Sequence, residues 1–203
     1  MWRTAKSADA AAIIKTGGAV SIKTISSREV YRNPWASVRE DIIERSDGTR
    51  GLYGVMDKDP ACIVVPIEHT PEGDFLWLVR QFRYAVQGTY FEFPQGGWET
   101  PDVDTEEMAR GELREETGLI AARMTHLTNL WIAYGAMRQS HAVFLAEDLT
   151  PGPTERDPEE HDMTVHRVAV TEFEAMLLDG RIVDNCTAAA WGVYLVWRGR
   201  QVP

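Results

Sequence analysis

One predicted helix carries three glutamates on a single face, and this feature restricts the fold of the chain more than any other. Asp104 can cap the start of the helix, and Gly118 can end it. Glu112, Glu115 and Glu116 stand at i, i+3 and i+4, so a helix brings their carboxylates together. Like charges at this spacing repel each other. An acidic face in water is the ordinary explanation, and a divalent cation bound by hard oxygen ligands is the functional one.

Strand-like segments lie on both sides of this helix. β-branched or aromatic residues fill them, and turn residues such as Asp47-Gly48 separate them. The predicted strands are 37–44, 52–55, 62–67, 75–82, 125–132, 141–146 and 164–170. Two further helices are predicted, at 171–178 and 186–197. This order predicts an α+β fold with one central helix that follows a Gly-rich loop.

Composition excludes several classes of protein. The chain has 203 residues with 21 Lys+Arg and 31 Asp+Glu, and the net charge of −10 argues against nucleic-acid binding. A phosphorylated ligand is still possible, because a cation can supply the positive charge. Cys62 and Cys186 are far apart without CxxC spacing, which is typical of a reducing compartment. No apolar run is long enough to span a membrane, so a cytoplasmic protein without membrane contact is expected.

The segment 92–119, EFPQGGWETPDVDTEEMARGELREETGL, resembles the Nudix hydrolases. From Glu112 to Leu119 it matches the second half of the Nudix box at every defined position. The resemblance implies a Nudix-like α/β/α sandwich with a mixed β-sheet and an N-terminal β arm.

The first half of the box departs from the family pattern. Gly111 occupies the position of the box arginine. The first box glutamate corresponds to Val103 if Gly97 is the box glycine, and to Asp102 if Gly96 is. In the family the arginine is understood to hold the acidic residues in place through ion pairs.

Further segments are similar to those of the ADP-ribose and nucleotide-sugar pyrophosphatases. They are Trp35–Arg39, Leu78–Arg83, Phe91–Pro94, Glu159–Glu160 and Leu177–Asp184. Members of that subfamily are typically homodimers whose N-terminal β segment reaches the partner's site. The resemblance therefore implies a β segment at the dimer interface at 29–58 and a Nudix hydrolase domain at 59–203, and the composition of residues 1–28, rich in Ala, Ser, Thr and Lys, predicts a flexible or arm-like segment before them. Tyr134 stands where ADP-ribose enzymes usually carry a proline, so the sugar diphosphate class is better defined than ADP-ribose itself.

The resemblance also implies roles for individual residues. The metal ligands, for Mg²⁺ or alternatively Mn²⁺, are the Gln95 carbonyl and the side chains of Glu112, Glu115 and Glu116. Glu115 is also assigned a catalytic role, and either Glu159 or Glu160 is the general base. The substrate-binding residues are Trp35, Arg39, Arg83 and Glu92. The implied reaction splits a nucleoside diphosphate sugar into a nucleoside monophosphate and a sugar phosphate.

A second hypothesis comes from the departures in the box. Gly111 and Val103 favour a catalytically weakened protein that binds nucleotides as a sensor or partner module. The retained carboxylates favour catalysis, because a binding role alone requires no set of ligands for a metal. The assigned residues also have simpler explanations: Trp35 as a packed or interfacial tryptophan, Arg83 as a solvated strand-end arginine, and Glu159 and Glu160 as an exposed acidic loop.

Overall fold

The computed structural model describes residues 21–97, 103–153 and 162–201. The chain forms two compact units, with boundaries at residues 60, 129 and 141. The first unit consists of the residues up to 60 together with 129–141, and the second unit consists of the remainder. Glu159 and Glu160 lie outside the described residues, as does most of the predicted N-terminal arm.

The first unit contains a four-stranded sheet in the order β1-β2-β3-β9. Its strands are β1 (Ile22–Arg32), β2 (Ser37–Arg45), β3 (Arg50–Asp57) and the short β9 (Met137–Arg138). The predicted hairpin is confirmed, and Gly48 takes a φ of 80° in its turn, a conformation that glycine adopts without strain. β1 begins at Ile22, before the β segment predicted at 29–58, because it pairs with β2 over its full length.

Among the described residues, the second unit contains a seven-stranded sheet and three α-helices. Five strands follow the order β11-β5-β4-β10-β8, with β6 paired to β5 and β7 to β4. The strands are β4 (Ala61–Thr70), β5 (Gly73–Arg83), β6 (Gly88–Glu92), β7 (Gln95–Gly96), β8 (Leu119–Trp131), β10 (Ser140–Pro151) and β11 (Thr164–Ala169). The helices are α1 (Thr105–Thr117), α2 (Val170–Leu178) and α3 (Asn185–Gln201). The predicted α+β class is confirmed.

Helix α1 packs against the sheet through its apolar side. Ala109 and Leu113 are buried with Cys62, Val64 and Phe144 in one hydrophobic cluster. Burial of a leucine or phenylalanine of this size contributes about 1.5–3 kcal/mol. This packing sets the rotation of α1 about its axis, and therefore decides which glutamates turn towards the protein.

A second cluster, which is aromatic, anchors α3. Phe93 stacks on Phe173, which meets Trp191 edge-on, and Trp191 stacks on Tyr194, each pair with ring centroids 5.0–5.1 Å apart. The segment that follows β6 is thereby tied to both α2 and α3. In the part of the chain that the structure describes, none of the helices is long and apolar enough to cross a membrane.

Candidate active site

Both ends of α1 are capped, so the helix that carries the glutamates is well defined. The Asp104 carboxylate accepts hydrogen bonds from the backbone N–H groups of Glu106 (2.9 Å) and Glu107 (3.3 Å). At the other end Gly118 has φ 70°, and its N–H donates to the Arg114 carbonyl at 2.8 Å. This is the αL cap that glycine favours.

The structure turns two of the three glutamates inward. Glu112 is 8% exposed and Glu116 is 2% exposed, whereas the side chain of Glu115 is 31% exposed and contacts Arg114 at 3.3 Å. Across residues 21–97, 103–153 and 162–201, no three histidine, cysteine, aspartate or glutamate side chains form a group that could hold a metal ion. Glu112 and Glu116, the two buried carboxylates of α1, form the core of the candidate site.

The buried carboxylates meet the backbone of the short strand β7. The Gln95 N–H donates to Glu116 Oε2 at 3.1 Å. A Cβ added to Gly96 would lie 2.5 Å from Glu112 Oε2, so glycine leaves the space that this carboxylate occupies. Pairing of β7 with Cys62 and Ile63 of β4 fixes this backbone against the sheet.

Burial and the negative charge of this region both change the pKa of the Cys62 thiol. Burial raises the pKa of its thiol well above the ordinary value, and the Glu112 carboxylate raises it further. The thiol is therefore protonated and unreactive at neutral pH.

Two buried carboxylates on one helical turn form a donor set that suits Mg²⁺, which usually binds one or two carboxylates and fills its remaining positions with water and substrate phosphates.

Arg83 and Glu92, both predicted to bind substrate, form an ion pair with each other. Arg83 Nε lies 3.2 Å from Glu92 Oε2, and Nη2 lies 2.8 Å from Oε1. Burial raises the pKa of Glu92, against the opposing effect of Arg83. Burial alone would lower the pKa of Arg83, but Glu92, with help from Glu116 and Asp184, raises it overall. The side chain of Arg83 stays 42% exposed, so the paired guanidinium still reaches solvent.

Asp184 and Thr187, which the sequence analysis did not identify as site residues, complete this network. Gln95 Nε2 donates to Glu92 Oε2 at 2.9 Å and to Asp184 Oδ2 at 3.1 Å. Thr187 lies beside Asp184 at the start of α3 and is fully buried. The spacing of Asp184 before the predicted helix is a capping signal, but nothing local links it to Gln95.

Trp35 and Arg39, the other predicted substrate-binding residues, lie in the first unit. Arg39 Nε donates to Asp41 at 3.1 Å, and the guanidinium also pairs with Asp57, which pairs in turn with Arg138. Arg39 lines a cavity of about 390 Å³. Its other lining residues are Tyr53, Val55, Trp131, Tyr134, Ala136, Met137 and Arg138. Trp35 is 58% exposed, which contradicts a packed tryptophan and leaves an interfacial one as its simpler explanation.

The fold and the paired carboxylates define a Nudix-type hydrolase, and sequence comparison supports this. The family model of the NUDIX domain matches residues 58–186, and the model of the nucleoside diphosphate sugar hydrolase N-terminal domain matches residues 22–56. The chain belongs to the Nudix family, as the sequence analysis predicted, and is a hydrolase.

Two curated relatives are ADP-ribose pyrophosphatases. The protein from Bacillus subtilis (strain 168) is 27% identical over 167 residues, covering 82% of this chain and 88% of the relative. The protein from Mycobacterium tuberculosis (strain ATCC 25618 / H37Rv) is 28% identical over 168 residues, covering 82% and 80%. A solved structure described as an ADP compounds hydrolase superposes with a TM-score of 0.77 at 23% identity over 90% of this chain and 96% of that one. It confirms the predicted Nudix-like fold.

Proposed function

We propose that this protein hydrolyses the diphosphate bond of ADP-ribose or a related nucleoside diphosphate sugar, releasing a nucleoside monophosphate and a sugar phosphate. The observation that carries the proposal is the burial of Glu112 and Glu116 against the backbone of residues 95–96. Burial of two carboxylates is costly without a compensating positive charge. The relatives named ADP-ribose pyrophosphatase support the same substrate class.

The proposed cofactor is Mg²⁺, with Mn²⁺ as the alternative. Glu112, Glu116 and the main-chain carbonyl of Gln95 would hold it, and Glu115 is the proposed third carboxylate. The residues fit such an ion, because Gly96 leaves room for the Glu112 carboxylate beside the backbone of β7, next to the Gln95 carbonyl. When bound, the cation neutralises charge on the diphosphate oxygens and favours ionisation of water.

The remaining residues bind and orient the substrate. The exposed edge of the Arg83 guanidinium is suited to a phosphate oxygen, and Glu92 holds that guanidinium in place. Glu159 or Glu160 is the proposed base that accepts the proton of the attacking water. Trp35 is proposed to stack on the base of the nucleotide, for which an exposed aromatic ring is suited.

Arg39 is proposed to bind the substrate as well. Its guanidinium is held by two aspartates and borders a cavity with the aromatic side chains of Tyr53, Trp131 and Tyr134. Such a lining suits a planar ring that needs both stacking and hydrogen bonds.

We also propose that the protein is a cytoplasmic homodimer whose residues 29–58 lie at the interface. Several large apolar side chains of the first unit are exposed to solvent, and contact with a second subunit would bury them. They are Ile22, Ile25, Val30, Ile42 and Leu52.

One observation favours the second candidate function, a nucleotide-binding protein with weak catalysis. Gly111 supplies no side chain at the box arginine position, and the neighbouring Arg110 is engaged with Glu106 and the Ala121 carbonyl. The two candidates differ in turnover rather than in binding.

The test combines a substrate panel with a matched pair of variants. Purified protein with Mg²⁺ is incubated with ADP-ribose, ADP-glucose, GDP-mannose, NADH and diadenosine polyphosphates, and the products are resolved by chromatography. We expect AMP and ribose 5-phosphate. E116Q should lose turnover by at least about 10²-fold while keeping its fold, and E107Q, an exposed glutamate on the same helix, should not change it.

Near-normal turnover by E116Q would show that the metal assignment is wrong. If no substrate reacts with Mg²⁺ or Mn²⁺, yet ADP-ribose raises the melting temperature, the binding function replaces the catalytic one.

A further inference from the structure

The start of α3 is joined to the candidate site by side-chain hydrogen bonds. Asp184 precedes the helix, and its Oδ2 accepts from the Thr187 N–H at 2.8 Å and from Thr187 Oγ1 at 2.7 Å. These two bonds are an ordinary helix cap, which satisfies donors that the first turn leaves free. The other contacts of the same two side chains exceed what a cap requires.

Both side chains of the cap also hold the segment 93–96. Asp184 Oδ2 accepts a third hydrogen bond, from Gln95 Nε2 at 3.1 Å. The Thr187 hydroxyl donates to Asp184 and accepts from the Phe93 N–H at 2.9 Å. Thr187 is 0% exposed, so water cannot replace these bonds.

The segment that α3 holds in this way is the one that contacts the buried glutamates. The Gln95 N–H donates to Glu116, and Gly96 lies against the Glu112 carboxylate. A displacement of residues 93–96 would therefore move both carboxylates or break their contacts. Interiors are close-packed, so such a displacement is transmitted rather than absorbed.

We propose that Asp184 and Thr187 are positioning residues, which hold the segment 93–96 against Glu112 and Glu116. They act through Gln95 and Gly96, and in this way they set cation affinity and turnover. This inference rests on the proposed function. It gives α3 a role in the site that its capping bonds alone do not require.

The experiment uses the full chain and measures Mn²⁺ binding by electron paramagnetic resonance without substrate, together with kcat and KM for ADP-ribose. T187V removes the hydroxyl and keeps the shape, and T187S restores the hydroxyl. We expect T187V to weaken Mn²⁺ binding and lower kcat by about 10-fold or more, as outer partners of metal ligands do, with KM changed less than threefold. T187S should recover most of both values.

Two further variants keep the test decisive. Q95M removes the hydrogen bonds of Gln95 Nε2 to Asp184 and Glu92 and leaves the Thr187 hydroxyl in place, and it should weaken Mn²⁺ binding even if T187V does not fold. T150V, which alters an exposed threonine elsewhere in the second unit, should change nothing. A merely structural role predicts a lower melting temperature for T187V with unchanged Mn²⁺ affinity and kcat, and that result would overturn the proposal.

The outcomes also separate this inference from the proposed function. If the unmodified protein binds Mn²⁺ and turns over ADP-ribose while T187V and Q95M do so equally well, only the positioning role fails. If the unmodified protein binds no Mn²⁺, both fail together.

Discussion

Replacing Gly96 with alanine should impair catalysis far more than stability. The new Cβ would lie 2.6 Å from the Cδ atom of Glu112. Carbon atoms in contact prefer a separation of about 3.5 Å, so the carboxylate must move by about 0.9 Å. It lies at the end of a flexible side chain, and the cost in folding free energy should be only about 1 kcal/mol. A displacement of about 1 Å at a reacting group can cost about 10²-fold in rate.

The measurement compares kcat/KM for ADP-ribose with the free energy of unfolding in urea. G152A is the matched control, because its Cβ would approach Ile120 Cδ1 to 2.7 Å, again at the end of a flexible side chain. Ile120 is 46% exposed and can move aside into solvent. We expect G152A to retain its activity and G96A to lose about 10²-fold. If G96A stays within threefold of the unmodified protein, contact with Gly96 does not position Glu112, and the reasoning is refuted.

Two further predictions concern ion pairs. R83M leaves the buried Glu92 without its guanidinium partner, which should lower the free energy of unfolding by about 1–3 kcal/mol. The double variant R83M/E92Q should recover most of this loss. A double variant no more stable than R83M would contradict the prediction. The Arg167 guanidinium lowers the pKa of Glu68, so the pair stabilises the fold above the ordinary glutamate pKa and loses this contribution as pH falls through the lowered value. E68Q should therefore lower the free energy of unfolding by about 0.2–1 kcal/mol at pH 7. Below about pH 4.3, thermal unfolding should show that E68Q loses less stability than the unmodified protein as the pH falls. Identical pH dependence in both proteins would argue against the pair.

Local signals in the sequence were sufficient for α1. Its cap residues Asp104 and Gly118 form hydrogen bonds with residues two to four positions away in the sequence, and the structure places both caps where the pattern predicts. Strand limits are less local. β8 begins directly at Leu119, before the predicted start at Thr125, because pairing with its neighbour β10 decides its extent. The strand propensity of one segment carries no information about the length of the strand that pairs with it.

The candidate site was predictable in its chemistry but not in its geometry. The spacing of Glu112, Glu115 and Glu116 predicts a shared face, yet only the packing of α1 determines that Glu115 stays at the surface. The link between Gln95 and Asp184 spans 89 residues, and each residue alone has an ordinary local role. Contacts of this kind depend on the final topology, which residue spacing along one element does not encode.

A backbone donor on β7 and a guanidinium on β5 act on the buried carboxylate of Glu116. Gly111 offers no guanidinium on α1, whereas the Gln95 N–H of β7 donates to Glu116, and the charge of Arg83 on β5 acts on the same carboxylate. The backbone donor carries no net charge, so it can fix the direction of a carboxylate without neutralising it. The Gln95 N–H reaches Glu116 from β7, and the Gln95 side chain reaches Asp184 before α3, so substitutions at Gln95 or Thr187 should also affect the glutamates, though less than E116Q does.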